Sequence, residues 1–194
     1  LDNLGPVTFS AWIYPRSLGG GSLGKIITKD TNGSSGHIQF FVGGVGTSGT
    51  GCTSPMNVFY FQKQGTSTLG KCTTDNAISF NRWQHVVVTW DGSVSASNVH
   101  IYKDGIELGY NSGASNGSGL NSDDTLNYYV GNRGDGSRGF DGYIDEPRIY
   151  NRVLSPSEIQ SLYELGNPDK MNSADSQGDS LEKGLVGYWK LDDA

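Results

Sequence analysis

The sequence predicts an all-β chain, a sandwich or barrel of many short strands, with one short helix near its C-terminal end. Three observations predict it. Turn formers are abundant, with 29 Gly among 194 residues, while hydrophobic residues make up only 35%, a balance that favours short strands joined by long loops. Short β-branched and aromatic runs recur between stretches rich in Gly, Ser and Asn. A full set of helix-start signals occurs late in the chain, around Leu154–Ile159. A chain of this length can bury the core of one such domain.

The elements follow in order. Val7–Tyr14 is a β-branched and aromatic run stopped by Pro15. Lys25–Lys29 and His37–Val42 are strands split by a turn-rich DTNGSSG, and a Gly/Ser/Thr loop over 43–57 leads to a strand at Val58–Lys63. Trp83–Trp90 (WQHVVVTW) is the strongest strand: Val86, Val88 and Trp90 face one way and His85, Val87 and Thr89 the other. Apolar weight on both faces predicts a central position. Val99–Lys103 and Ile106–Tyr110 flank Asp104-Gly105, the dipeptide a type I′ hairpin turn requires. After a polar loop over 111–125 come strands at Leu126–Gly131 and Tyr143–Tyr150.

The helix is justified residue by residue. Ser155 is the N-cap, Pro156 suits the first helical position, and Glu158 completes a capping box. Leu154 and Ile159 form a hydrophobic staple, and Ile159, Leu162 and Tyr163 form the buried stripe. Gly166 is expected to supply a left-handed stop, with Pro168 beyond it. Residues 167–183 read as a polar linker, and Leu185–Leu191 alternates again like a strand.

Net charge is −6, which argues against nucleic acid or an anionic membrane as partner, since both need a basic footprint. No stretch reaches the ~18 apolar residues of a membrane span. Cys52 and Cys72, the only two cysteines, lack metal-ligand spacing. They read as a disulfide closing a loop, worth about 3 kcal/mol in a loop-entropy picture; the alternative is two unrelated thiols in a reducing compartment.

Four segments, FSAWIYP, WQHVVVTWDGS, VHIYKDGIEL and YVGN…GFDGYIDEPRIYNRVLSPSEIQSLY, together resemble the laminin-G-like, concanavalin A-like lectin-glucanase domains common in secreted bacterial proteins. The resemblance covers nearly all of residues 7–165 and implies an antiparallel two-sheet jelly-roll sandwich. Its usual opening strand, of the type GLVGYWKLDD, is missing at the front, and a look-alike occupies 184–193. The expected organisation is therefore a jelly roll over 1–166 lacking its first strands, a linker over 167–183, and a first-strand segment of a following module over 184–194, as in a tandem array. In the family the opening strand lies beside the last one, here 143–150. Without it an unpaired edge is exposed, and 185–192 is expected to fill the gap in the same chain or, by strand exchange, in a neighbouring copy. Pro147 removes a ladder donor and predicts a bulge or edge.

Related folds serve as glycosidases, which need two carboxylates roughly 5 Å apart when they retain configuration. No Glu begins the Glu-x-Asp-x-x-Glu pattern of the laminarinase-type relatives, and adjacent Asp145 and Glu146 should point to opposite sheet faces. His85 reads as a packed sheet residue, and the chain reads as no enzyme. Calcium is the expected cofactor. Asp145 should share an inward face with Ile149 and need a compensating cation, and the resemblance implies Asp192 or Asp193 as co-ligands. The alternative is Asp145 accepting backbone N–H bonds with no metal.

Residues 131–142 (GNRGDGSRGFDG) include Arg133-Gly134-Asp135, a cell-attachment tripeptide that also arises by chance in Gly-rich loops. Asn127, Tyr128, Tyr129, Asn132 and Asp135 are the candidate ligand residues, because tyrosines beside a polar loop can stack on sugar. Trp12, Trp83, Trp90 and Trp189 all read as strand residues, mostly core. The function these readings favour is a non-catalytic extracellular or cell-surface binding or adhesion module for a glycan or surface protein. The alternatives are a structural repeat or filament subunit assembled by strand exchange through 185–192 and, third, a glycoside hydrolase.

Overall fold

The structure, a computed structural model, describes residues 5–30, 38–43, 57–64, 67–111, 114–119, 126–166 and 178–190. The strands are β1 (Val7–Pro15), β2 (Leu23–Lys29), β3 (Ile38–Gly43), β4 (Asn57–Gln64), β5 (Ser67–Cys72), β6 (Gln84–Trp90), β7 (Val99–Lys103), β8 (Ile106–Glu107), β9 (Tyr129–Val130), β10 (Gly142–Tyr150) and β11 (Leu185–Tyr188). They form two antiparallel sheets, a six-stranded one ordered β11-β10-β1-β6-β7-β8 and a five-stranded one ordered β5-β4-β3-β2-β9. Two helices, α1 (Pro156–Gly166) and α2 (Gly178–Glu182), follow β10. The fold is the expected antiparallel jelly-roll sandwich.

Alternation in the central strands builds two apolar layers. Phe9, Ile13, Val86, Val88, Trp90 and Ile149 face Ile27, Ile38, Phe40, Val42 and Leu69 of the other sheet, forming the main core. The opposite parity of the six-stranded sheet supplies Val87, Tyr102 and Tyr150, and these are covered by Leu154, Ile159, Leu162 and Leu181. β6 is central and buried throughout, as its two apolar faces require. The β7–β8 hairpin turns on Asp104 and Gly105, both with positive φ, 51° and 82°, the signature of a type I′ turn.

The helix start is as the sequence implies. Glu158 N–H donates to Ser155 Oγ at 3.3 Å and Ser155 N–H donates to Glu158 Oε2 at 2.9 Å. Arg152 adds a bidentate clamp on Glu158 at 2.9 and 2.7 Å, so the capping carboxylate anchors the strand-to-helix corner as well as the helix. The helix end differs from expectation. Gly166 is the last helical residue and is absent from the positive-φ glycines. Its lack of a side chain serves close packing, since a Cβ there would overlap the Trp12 indole.

β11 pairs antiparallel with β10 of the same chain, through Arg148–Tyr188, Ile149–Gly187 and Tyr150–Leu185. The tail therefore completes the sheet beside the last strand. Residues 178–182, expected as linker, form α2, because Leu181 has an apolar site beneath α1. β5 is a strand the sequence does not announce: STLGKC lacks alternating apolar residues, and six pairings with β4 hold it in place. Conversely, the runs at 106–110 and 126–131 shrink to two strand residues each, their other partners being isolated contacts such as the Thr73–Tyr110 bridge and the Gly131 N–H to Ile26 O hydrogen bond at 3.0 Å.

The bulge predicted at Pro147 is present. β10 pairs with β1 through Arg148–Ser10 and Asp145–Trp12, so Glu146 and Pro147 together oppose Ala11, and Glu146 has φ 47°. This extra residue reverses the parity of the strand N-terminal to it. Asp145 lies opposite Trp12 rather than on the inward face with Ile149, which corrects the expectation of a buried inward carboxylate. The same bulge removes the reason for Asp145 and Glu146 to point apart.

Two outcomes follow. Ser155→Ala lowers stability by about 1 kcal/mol, the usual loss for an N-cap hydroxyl, read as a reduced midpoint in chemical denaturation. The hydrogen bonds from Arg152, and secondarily those from Ser155, hold the Glu158 carboxyl down at about 2, below its ordinary value of 4.5. A depressed carboxyl contributes stability above its unfolded pKa and loses it as pH falls through the folded one. Glu158→Gln is therefore less stable than the parent at neutral pH, and the two denaturation midpoints converge as pH drops from 4.5 to about 2.

Candidate functional site

The loop leading out of β9 brings the expected ligand residues close in sequence but uses them for different purposes. Tyr128 points inward, its ring 6.1 Å from Phe9 and 5.1 Å from Lys29 Nζ, which makes it a core residue and not an exposed platform. Asn127 is exposed, and Tyr129, opposite Thr28, is half-buried with its ring against Gly134. Asn132 Oδ1 accepts the Arg133 and Arg138 N–H groups at 2.8 and 3.2 Å, bracing the loop.

Asp135 is consumed in the same way. Its carboxylate accepts Arg133 Nε at 3.0 Å and Nη2 at 2.7 Å, and the Ser137 N–H and hydroxyl at 3.0 and 2.8 Å. Arg133 foremost, then Ser137, holds the Asp135 carboxyl well below the usual carboxylate range. The Arg-Gly-Asp tripeptide is thus closed on itself, its two charges paired with each other. The structure brings Asn132 and Asp135 together as loop braces and leaves Asn127 and Tyr128 apart from them.

A second cluster lies on the outer face of the six-stranded sheet. Tyr14 pairs with Tyr143, and the register continues from Ile13–Gln84 so that Trp83 stands beside Tyr14 just before β6. Ring centroids are 5.7 Å apart for Tyr14–Trp83, 5.8 Å for Tyr14–Tyr143 and 6.4 Å for Trp83–Tyr143. Trp83 is 44% and Tyr143 58% exposed, far more than a packed aromatic row. One margin is polar: the Arg16 guanidinium lies 5.6 Å from the Tyr143 ring and pairs with Asp141 at 3.1 Å, and the Ser17 hydroxyl donates to Asp141 at 2.6 Å. The neighbouring row, Trp12 and His85, stacks on Tyr163 of α1 at 5.7 and 6.3 Å, so the helix ends where the exposed rings begin.

The four tryptophans therefore divide. Trp12 and Trp90 are buried, whereas Trp83 and Trp189 lie outside the strands, Trp189 at 41% exposure. Trp83 is excluded from β6 because the Gln84 side chain ties back the preceding loop, accepting Ser79 N–H at 2.9 Å and donating to Ser79 O at 2.7 Å. The available signal was parity: Tyr14, Trp83 and Tyr143 extend the outward-facing rows by one period, beyond the reach of an 11-residue helix.

The remaining titratable groups of this face have structural tasks. His85 is fully buried, its Nε2 2.8 Å from Ser10 Oγ, and burial, then Arg148, lowers it to about 3. A ring so reluctant to take a proton is a poor general base. Glu146 pairs with Arg148 at 2.9 Å, and Arg148 lies 4.5 Å over Tyr188. Asp145 Oδ1 accepts the Glu146 N–H at 2.7 Å. Because Asp145 faces outward, the electrostatic argument for calcium lapses. No group of three His, Cys, Asp or Glu suited to a metal occurs among the described residues, and Asp192 and Asp193 lie outside them. Cys72 is buried and in disulfide form, while Cys52 lies outside the described residues, so their pairing stays an expectation. No helix among the described residues is long and apolar enough to cross a membrane.

The comparisons agree with this architecture. A carbohydrate-binding assignment belongs to a Bacteroides ovatus protein that is 20% identical with TM-score 0.61, covering 97% of this chain and 46% of its own; this chain thus spans under half of that protein. Domain 4 of AbnA, an extracellular arabinanase of Geobacillus stearothermophilus in complex with arabinotriose, is 18% identical with TM-score 0.55, covering 84% of this chain and 69% of its own. The CBM40 of a Ruminococcus gnavus sialidase bound to α2,3-sialyllactose is 13% identical with TM-score 0.56, covering 82% and 83%. These likenesses are of fold. No curated protein sequence matches significantly. The family model for concanavalin A-like lectin/glucanases matches residues 1–160 of the 194, and the chain belongs to that superfamily.

Proposed function

We propose that this chain is a non-catalytic, extracellular glycan-binding module whose sugar lies on Tyr14, Trp83 and Tyr143. The observation that carries the reading is the row of three rings, Trp83 and Tyr143 exposed and Tyr14 half-buried between them, with Arg16, Asp141 and Ser17 along one side. A pyranose or furanose presents an apolar C–H face and a polar rim. The first matches aromatic faces and the second matches a guanidinium, a carboxylate and a hydroxyl. Isolated exposed aromatics are ordinary, but a contiguous row marks an interaction surface. A non-catalytic role is supported by the engagement of Glu146 with Arg148 and the low basicity of His85. The disulfide form of Cys72 supports an oxidising compartment, and the named sugar-bound relatives share the fold.

The test is a panel of immobilised neutral and acidic oligosaccharides that includes arabinotriose and sialyllactose. Trp83→Ala and Tyr143→Ala each weaken the retained interaction at least about tenfold, since truncating an aromatic hot spot costs about 2 kcal/mol or more. Tyr129→Ala leaves it unchanged. Loss on Tyr129→Ala with full retention by the Trp83→Ala, Tyr143→Ala double variant would overturn the site, and no interaction with any panel member would overturn the function.

A further inference from the structure

The five-stranded sheet carries an arrangement on the face turned away from the core that the glycan reading does not use. A register shift between Lys25 and Ile27 in β2 sets Lys25 opposite Phe41 of β3. The Lys25 ammonium lies 3.7 Å from the Phe41 ring centroid and donates to Gln39 Oε1 at 2.5 Å. The same amide donates from Nε2 to Asp30 Oδ2 at 3.0 Å. Lys25 is 2% and Asp30 0% exposed. An amine, a primary amide and a carboxylate therefore stand in one chain, with the half-buried amide between the two buried ionisable groups.

We propose that Lys25, Gln39 and Asp30 form a self-modification site that joins β2 to β3 through an isopeptide bond between Lys25 Nζ and Gln39 Cδ. The uncharged amine attacks Cδ, to which it is held by its contact with Oε1. The Nζ–Cδ bond forms and the Cδ–Nε2 bond breaks. The proton released by Nζ passes through the Asp30 carboxylate to the departing nitrogen, to which Asp30 is already hydrogen-bonded, and ammonia leaves. Asp30 ends in the state in which it began. The step is a transamidation with no change of oxidation state, so it needs no oxidant, reductant or cofactor.

Two features favour reaction over a merely structural hydrogen-bond chain. The attacking group must be free amine, and Lys25 is lowered to about 7, chiefly by burial, with Asp30 opposing and Arg133 and Arg138 assisting. An ordinary lysine is almost wholly protonated at neutral pH, whereas this one has a large uncharged fraction. The burial of Lys25 and Asp30 on either side of the half-buried Gln39 also matters, because restricting water at the tetrahedral intermediate disfavours diversion to hydrolysis of the amide. Lys29 makes a useful contrast: it is equally buried but lies over Tyr128 on the core side, away from Gln39.

The proposal goes beyond glycan recognition and is tested without it. The purified, reduced chain is weighed by intact-mass spectrometry and then mapped after proteolysis. The expected mass is lower than the sequence requires by one ammonia, with a branched peptide linking the segment containing Lys25 to that containing Gln39. Lys25→Met and Gln39→Leu restore the full mass for their sequences, and Asp30→Asn, if it folds, gives mostly unlinked chain. A parent chain of full mass after prolonged incubation at neutral pH would overturn the proposal without recourse to any variant, as would an ammonia loss that persists in Lys25→Met. Neither result bears on the binding of oligosaccharides to Tyr14, Trp83 and Tyr143.

Discussion

β1 is hydrogen-bonded along both edges, to β10 on one side and β6 on the other, and it is buried on both faces. A strand held in this way cannot slip by one residue without exchanging its two faces. The register it imposes on its neighbours therefore sets the destination of every side chain across three strands. One parity sends Phe9, Ile13, Val88 and Ile149 into the core. The other sends Val87 and Tyr150 beneath α1, Trp12 and His85 against its last turn, and Trp83 and Tyr143 into the open with Tyr14 half-buried between them. The aromatic row is exposed because the helix is shorter than the sheet it covers, and its position follows from the same alternation that makes the core.

The bulge in β10 shows how local this control is. A single additional residue at Glu146–Pro147 turns Asp145 from the face it would share with Ile149 to the face of Trp12. Proline fits there because the bulge needs no ladder N–H at that point. The carboxylate that simple alternation would turn inward instead faces outward and accepts the adjacent Glu146 N–H.

Charge is handled in two contrasting ways. At the helix corner and in the loop after β9, carboxylates are neutralised by bidentate arginines, Arg152 on Glu158 and Arg133 on Asp135, which fixes geometry and leaves little reactivity. Beneath the outer surface of the five-stranded sheet, burial lowers the proton affinity of Lys25 so that much of it is uncharged near neutral pH, and a polar amide mediates its contact with Asp30. The first arrangement builds rigid corners. The second leaves a nucleophile beside an electrophile, the physical basis for the proposed cross-link.

The capping box at Ser155–Glu158, the I′ turn at Asp104-Gly105, the two-faced burial of β6 and the strand character of the tail could all be read from the residues themselves. Each depends on interactions within a few positions along the chain or on a period that any partner would preserve. The tail's place beside β10 also required knowing what edge was missing. By contrast, β5 exists only because β4 offers it hydrogen bonds, and Gly166 is required by an indole more than a hundred residues earlier in the chain. Tyr128 turns inward and Trp83 outward because of the sheet register and the length of a helix that neither residue belongs to. The amino-acid sequence thus determined the class of fold, the helix and the pattern of alternation, all consequences of local sterics and hydrogen bonding. Tertiary structure decided which aromatics meet solvent, which charges find each other, and that Lys25, Gln39 and Asp30 stand in one hydrogen-bonded chain, because those outcomes depend on which distant strands lie side by side.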